Sequence, residues 1–360
     1  MVADKKKNFR DTFHDRYAKD GVIVHKASDA QDIQAIPTGI LAHDVATGIG
    51  GFPRGRVVEI FGPESGGKSL ITLVSAAYAQ KMFGSKILYF DLEGGTPREW
   101  LSTLGIDLDK FDIVPPGLTA EQNLDAIIMA IESKEYDYII VDSVAAMVTR
   151  AELEGLVDKN HMAQLARAMS LGIKKIVSVL PTNGPCCIFI NQIREKVGVM
   201  YGSPEVTPGG KALKFYSAQR YKVRKKSQSD TKDGGDVMGH TIIVSNVKNK
   251  LGPPRREGEF DIHYTKGINV ISSMMRMMKQ NNVYEKKGQQ YFITLDNEPT
   301  PLAFNKVSDI EQTLRDSIEF QQNMYNMLIK KFALTLVTEI KEPVDDFDDF
   351  DDIKENSNEK

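Results

Sequence analysis

The 360-residue chain has only two cysteines and one tryptophan. The cysteines, Cys186 and Cys187, are adjacent in the run PCCIFI. That excludes a disulfide framework and a cysteine-based zinc site, and it reads as buried thiols in a reducing compartment. Long apolar runs are missing too. No stretch approaches the roughly 18 residues of a membrane span, and the opening MVADKKKNFR lacks the apolar stretch of a secretion signal. A cytoplasmic protein with no membrane partner is expected. With 41% hydrophobic and 26% charged residues, a mainly disordered, collagenous or coiled-coil chain is excluded, and one large or two smaller cores are expected.

The net charge of -3 conceals an uneven distribution. From Pro343 to Lys360 six Asp and two Glu face two Lys, whereas Ile193 to Arg256 holds fourteen basic and five acidic residues. A basic body therefore precedes an acidic tail, whose DDFDDFDD run at Asp345 to Asp352 cannot build a core.

Periodicity divides the chain into four parts. Residues 1–35 carry Phe9, Phe13 and Tyr17 on one helical face, then a short strand at Val22 to Val24. Three aromatics make no core, so this piece must dock elsewhere. Residues 36–269 alternate β-branched runs with helical segments, the pattern of an α/β domain with a largely parallel sheet. The expected strands are Val57 to Phe61, Ile87 to Phe90, Tyr138 to Val141 and Cys187 to Ile190. Thr119 and Gln122 open the crossover helix that ends at Ser133 with a capping box. Residues 270–335 read as a small α+β lobe: a Met-rich helix, a hairpin at Val283 to Leu295 and a helix from Val307 to Phe332. Residues 336–360 form the tail.

Gly62-Pro63-Glu64-Ser65-Gly66-Gly67-Lys68-Ser69 matches the phosphate-binding pattern G-x-x-x-x-G-K-[ST], with a strand before it and a helical stripe (Leu70, Leu73, Val74, Ala77, Tyr78) after it. Glycines let successive backbone N–H groups surround phosphate oxygens. Lys68 reaches the terminal phosphates, and Ser69 offers a hydroxyl to Mg²⁺. Hydrolysis further needs a carboxylate for the metal and a group to activate water. Asp142, ending YIIVD, suits the first role. Glu93 and Asp91, ending ILYFDLE, compete for the second.

The motifs GPESGGKS, FDLE, YIIVDSVAAM, ELEG, HMAQLARAMS, INQIREKVGVMYGSPE, GGKALKFYSAQR and VKNK, in this order, resemble the RecA family of DNA recombinases from about Ile36 to Asn269. Thr96-Pro97 looks closer to phage-encoded, UvsX-like relatives. The resemblance implies an ATP- and Mg²⁺-dependent, DNA-stimulated ATPase that polymerises on single-stranded DNA, searches duplex DNA for homology and exchanges strands. It implies that Glu93 activates water and that Gln192 senses the terminal phosphate. It also implies that Lys248 and Lys250 reach the ATP of the neighbouring subunit and that Trp100 packs on the base. Pro97 and Gly66 depart from the family pattern, which bears on base selectivity.

Two segments, Glu154 to His161 and Ile193 to Pro208, resemble the family's DNA-binding loops. Arg167, Ser170, Lys174, Arg194 and Lys196 match or adjoin backbone contacts, and His161 and Met162 close the first loop. Val197 and Met200 suit insertion between bases, and Gly209-Gly210-Lys211 suits a phosphate. A mediator or single-strand-binding protein is a further candidate partner, as is association with the nucleoid or, for a viral protein, with the host cytoplasm. Two rival readings share the core: a ring-shaped helicase motor and a non-catalytic recombination mediator.

Overall fold

The computed structural model describes residues 8–20, 24–26, 28, 33–155, 162–195, 205–233, 236–295 and 300–333. The chain divides into two units, Met1–Gln34 and Ala35–Lys360. In the first, a helix over Phe9–Tyr17 starts at Asn8, whose side chain accepts from the Asp11 amide. Its aromatic face forms as expected, with ring centroids 5.7 Å apart for Phe9 and Phe13 and 4.9 Å for Phe13 and Tyr17. Of the strand expected at Val22 to Val24, only Val24 is among the described residues; its amide donates to His14 Nε2 at 2.9 Å.

The second unit is built on a nine-stranded sheet. We number its strands β1 (Val57–Gly62), β2 (Ile87–Asp91), β3 (Phe111–Val114), β4 (Tyr138–Asp142), β5 (Cys186–Gln192), β6 (Gln219–Asp233), β7 (Asp236–Asn249), β8 (Glu257–His263) and β9 (Gly267–Ile268). Their order is β9-β8-β7-β6-β1-β5-β4-β2-β3. From β6 to β3 every pairing is parallel, and the β6–β7, β7–β8 and β8–β9 pairings are antiparallel. The four strands expected between residues 36 and 269 are all present.

Alternation along the central strands explains their near-continuous apolar sequence, because both faces of a covered parallel sheet are dry. Tyr138, Ile140, Cys186, Ile188 and Ile190 enter one core with the helix α1 (Lys68–Phe83). Ile139, Val141, Cys187 and Phe189 enter the other, under α2 (Ala120–Ser133) and α3 (Met162–Val179). Cys186 and Cys187 thus point to opposite faces, and burial pushes both thiols up, Cys187 to about 12. The capping box of α2 is in place: Gln122 N donates to Thr119 Oγ1 at 3.3 Å, and Thr119 N to Gln122 Oε1 at 2.9 Å.

Residues 270–333 supply a helix (Val270–Gln280), a three-stranded sheet (Tyr284–Lys287, Gln290–Ile293, Leu302–Phe304) and two more helices. The single helix expected over Val307 to Phe332 is broken. Val307–Asp316 and Ile318–Phe332 are separated by Ser317, which is extended and whose Oγ caps the second helix at Phe320 N, 3.1 Å away. The break lets Ile310, Leu314, Phe320, Met324 and Leu328 join the first core. Tyr325 from the last helix donates to the buried Asp44 carboxylate, which also accepts from Thr38 N (2.9 Å) and Thr38 Oγ1 (2.7 Å).

Candidate functional site

The parallel strands deliver their last residues to one edge of the sheet, the usual ligand position in open α/β folds. Register sets the neighbours there: Gly62 pairs with Gln192, and Asp91 with Asp142. Beyond Gly62 the chain turns through Ser65 (φ 53°) and Gly67 (φ 88°) into α1. Gly67 needs its freedom twice over. The backbone is left-handed, and a Cβ there would sit 2.6 Å from Ile262 Cδ1. Such a turn aims backbone N–H groups inward as an anion cradle.

Lys68 is buried, and its Nζ donates to the Pro63 carbonyl at 2.6 Å. Burial pushes its pKa down, against the raising pull of Asp142, Glu93 and Glu64. Asp142 is held above the ordinary carboxylate range by burial, opposed by hydrogen bonds from Ser69 and Tyr89, the latter at 2.7 Å. The Tyr89 phenol is pushed far up, first by burial and then by the Asp142 charge.

Glu93 is exposed, and its Oε1 accepts from Ser143 Oγ at 2.6 Å and from Gln192 Nε2 at 3.3 Å. Its rival Asp91 is buried and spends its carboxylate on the Gly95 (3.3 Å) and Thr96 (3.1 Å) amides of its own loop. Behind Gln192, Asn191 donates to Glu59 (3.2 Å) and to the Pro208 carbonyl (3.1 Å), and Glu59 also accepts from Arg220. A buried polar chain therefore runs from the base of Gln192 to the end of the second loop segment.

A cavity of about 360 Å³ opens beside the phosphate loop, within the usual size range of ligand pockets. Ser65 to Leu70 line it together with Trp100, His240, Ile262, His263 and Tyr264. The last four were not expected. They lie on or just after β7 and β8, far from the loop in sequence, and only the antiparallel pairing of those strands brings them in. Tyr264 faces Trp100's cavity as a second aromatic wall, a position no local pattern marks.

Lys248 and Lys250 do not line this cavity. Lys248 Nζ donates to the Lys214 (2.7 Å) and Phe215 (2.8 Å) carbonyls, and Lys250 Nζ to Phe215 (3.3 Å). They close the end of the short helix Ala212–Tyr216. Lys248 is pushed down to about 8, first by burial and then by Lys250 and Arg220, with Glu59 opposing.

Arg167, Ser170 and Lys174 share one exposed stripe of α3. Gly209 and Gly210 lie against the same helix, since a Cβ on Gly210 would sit 2.9 Å from Ala166 Cβ and one on Gly209 3.1 Å from Met169 Cγ. The exposed Lys211 follows directly. Arg194–Glu195 pairs with Glu205–Val206 as a short ladder at the base of the second loop. His161, Lys196, Val197 and Met200 lie outside the described residues, as does the Met162 side chain.

The family model for the RecA N-terminal domain matches residues 8–269. The chain belongs to the RecA family. Protein RecA of Ruminococcus albus is 42% identical over 273 residues, 76% of this chain and 68% of that protein. Protein RecA of Mycobacteroides abscessus is 46% identical over 261 residues, 72% and 74% of the two chains. Protein RecA of Nocardia farcinica is 44% identical over 272 residues, 75% and 77%. The matched residues include the whole nine-stranded sheet, and neither the ring-helicase nor the mediator reading is favoured.

The side chains fit a nucleoside triphosphate with Mg²⁺. The buried Lys68 amine donates to the Pro63 carbonyl, and the Ser69 hydroxyl and Asp142 carboxylate already meet. Among the described residues no group of three or more His, Cys, Asp or Glu could hold a metal by itself. Among the described residues no helix is long and apolar enough to cross a membrane.

Proposed function

We propose that this RecA-family recombination protein, which forms filaments on single-stranded DNA and carries out homology search and strand exchange, divides the work among its residues as follows. The phosphate loop from Gly62 to Ser69 holds ATP, with Lys68 leaving the Pro63 carbonyl for the terminal phosphates. Ser69 and Asp142 hold Mg²⁺, which when bound neutralises developing negative charge on the phosphates. Glu93 Oε1 takes the proton of the attacking water. The observation that carries this reading is the Gln192–Glu93 hydrogen bond beside Gly62: the amide that would sense the phosphate is tied to the carboxylate that would activate water.

Gln192 can donate to one acceptor at a time from each amide hydrogen. Turning its amide toward a phosphate would loosen Glu93, and the Gln192 backbone N–H, which donates to Asn191 Oδ1 at 3.0 Å, links that movement to the side chain that holds the Pro208 carbonyl. Through that chain the nucleotide state reaches the Gly209–Lys211 turn and the Arg167–Lys174 stripe, which would grip the DNA backbone. Lys248 and Lys250 would complete the nucleotide site of the adjoining subunit. They rest on the helix that follows the same turn, so subunit contact and DNA grip share one element.

Glu93→Gln tests the assignment. It should bind ATP and DNA while hydrolysis falls about 100-fold or more, the usual worth of a general base. Unchanged turnover would refute the role. Loss of joint-molecule formation between homologous substrates in a Lys68→Ala variant that still folds is the matching test of the nucleotide requirement.

A further inference from the structure

His240 is buried on β7, and its Nδ1 lies 3.3 Å from the Tyr264 phenol oxygen, with the rings 5.6 Å apart and tilted by 49°. Tyr264 is 47% exposed, follows β8 and lines the cavity. An aromatic side chain this exposed would ordinarily sample several rotamers. Here its far end is tied to an imidazole fixed in the middle of the sheet, where β7 is paired on both sides, with His240 opposite Asp230 and Ile262. Trp100, the single tryptophan, stands at the same cavity.

We propose that His240 is a positioning residue for nucleotide recognition: by holding the Tyr264 ring in place before ligand arrives, it preorganises an aromatic wall for the base. The inference rests on the nucleotide reading of the cavity and adds a residue to it. The physical gain is that the ordering of one side chain is completed on folding and is not charged against binding. The lining residues include no Asp or Glu, so the wall would work on the base by stacking, and a base-free ligand would be indifferent to it.

Isothermal calorimetry on the full chain with Mg²⁺ tests this, using a non-hydrolysable ATP analogue and inorganic tripolyphosphate as the two probes. His240→Leu, which keeps the volume and removes the hydrogen bond, should weaken the analogue about three- to tenfold and leave tripolyphosphate unchanged. Tyr264→Phe should reproduce that loss, and the double variant should lose no more than either single one. His240→Asn, whose side-chain atoms overlay Nδ1, should recover most of the affinity. In steady state KM for ATP should rise with kcat kept. Equal loss for both probes, additive losses in the double variant, or no loss at all would overturn the positioning role. If the unsubstituted protein binds tripolyphosphate and the analogue equally well, the base is not recognised here and the inference fails while the phosphate reading stands. If it binds neither, the nucleotide reading itself fails.

Discussion

Tyr89 and Asp142 show how one side chain is kept fit for its task by another. A buried carboxylate is costly unless hydrogen-bonded, and Asp142 meets that condition through Tyr89 Oη and Ser69. Removing the phenol oxygen in Tyr89→Phe should therefore lower the stability of the unliganded protein by about 1–3 kcal/mol at neutral pH, read from urea unfolding midpoints. Because the carboxyl pKa is already raised by burial, part of that loss should disappear as pH falls and the group becomes neutral. At this scale the sequence was informative where chemistry is local. The phosphate loop and the terminal Asp142 follow from residue types and the strand that precedes each. The family resemblance already favoured Glu93 over Asp91, and the fold adds what residue types could not show: Asp91 is engaged with the Gly95 and Thr96 amides, and Glu93 faces Ser143 and Gln192.

Among the elements, the short helix Ala212–Tyr216 is the most heavily used. One end continues the Gly209–Lys211 turn packed on α3, and the other carries the Lys248 and Lys250 hydrogen bonds. With Lys248 at about 8, its charge is complete well below that pH and lost as pH rises through it. ATP-dependent filament formation should weaken between about pH 7.5 and 9, beyond any change in ATP binding by the free subunit. Lys248→Arg should flatten that dependence, because guanidinium stays charged throughout. Light scattering with a non-hydrolysable analogue checks both; an identical pH profile in the arginine variant would count against Lys248. Elements were legible in proportion to their apolar periodicity. β1, β2, β4 and β5 are buried on both faces and announce themselves. The polar run KVRKKSQSDTKD of β6 reads as solvated chain, and pairing with β7, not local propensity, makes it a strand, whereas β7 itself carries the β-branched run TIIV. The same long-range pairing hid His240 and Tyr264.

For the whole molecule, the uneven charge is the feature with measurable reach. The stretch from Ile193 to Arg256 has an excess of nine basic residues, and part of it adjoins the α3 stripe. Binding to single-stranded DNA should weaken with salt, and each lost phosphate contact should reduce the slope of log affinity against log salt by about 0.7. The double variant Arg167→Ala/Lys174→Ala should then show a slope shallower by roughly 1.4 with little change in sequence preference. An unchanged slope would remove both residues from the DNA path. The sequence-derived architecture of a parallel-sheet core followed by a smaller lobe agrees with the RecA fold, but the join between them was not legible. Met274, Met277, Met278 and Leu328 fill the same core as β1 and β5, and a Met-rich helix gives no sign of which surface it will cover.

The lone indole has a practical consequence. Since Trp100 stands at the cavity and the chain has no second tryptophan, the protein's long-wavelength ultraviolet emission originates at one spot. Arrival, departure and exchange of a ligand there can be timed in unlabelled material, in free subunits and in assembled ones alike, by following the brightness and colour of that single emitter.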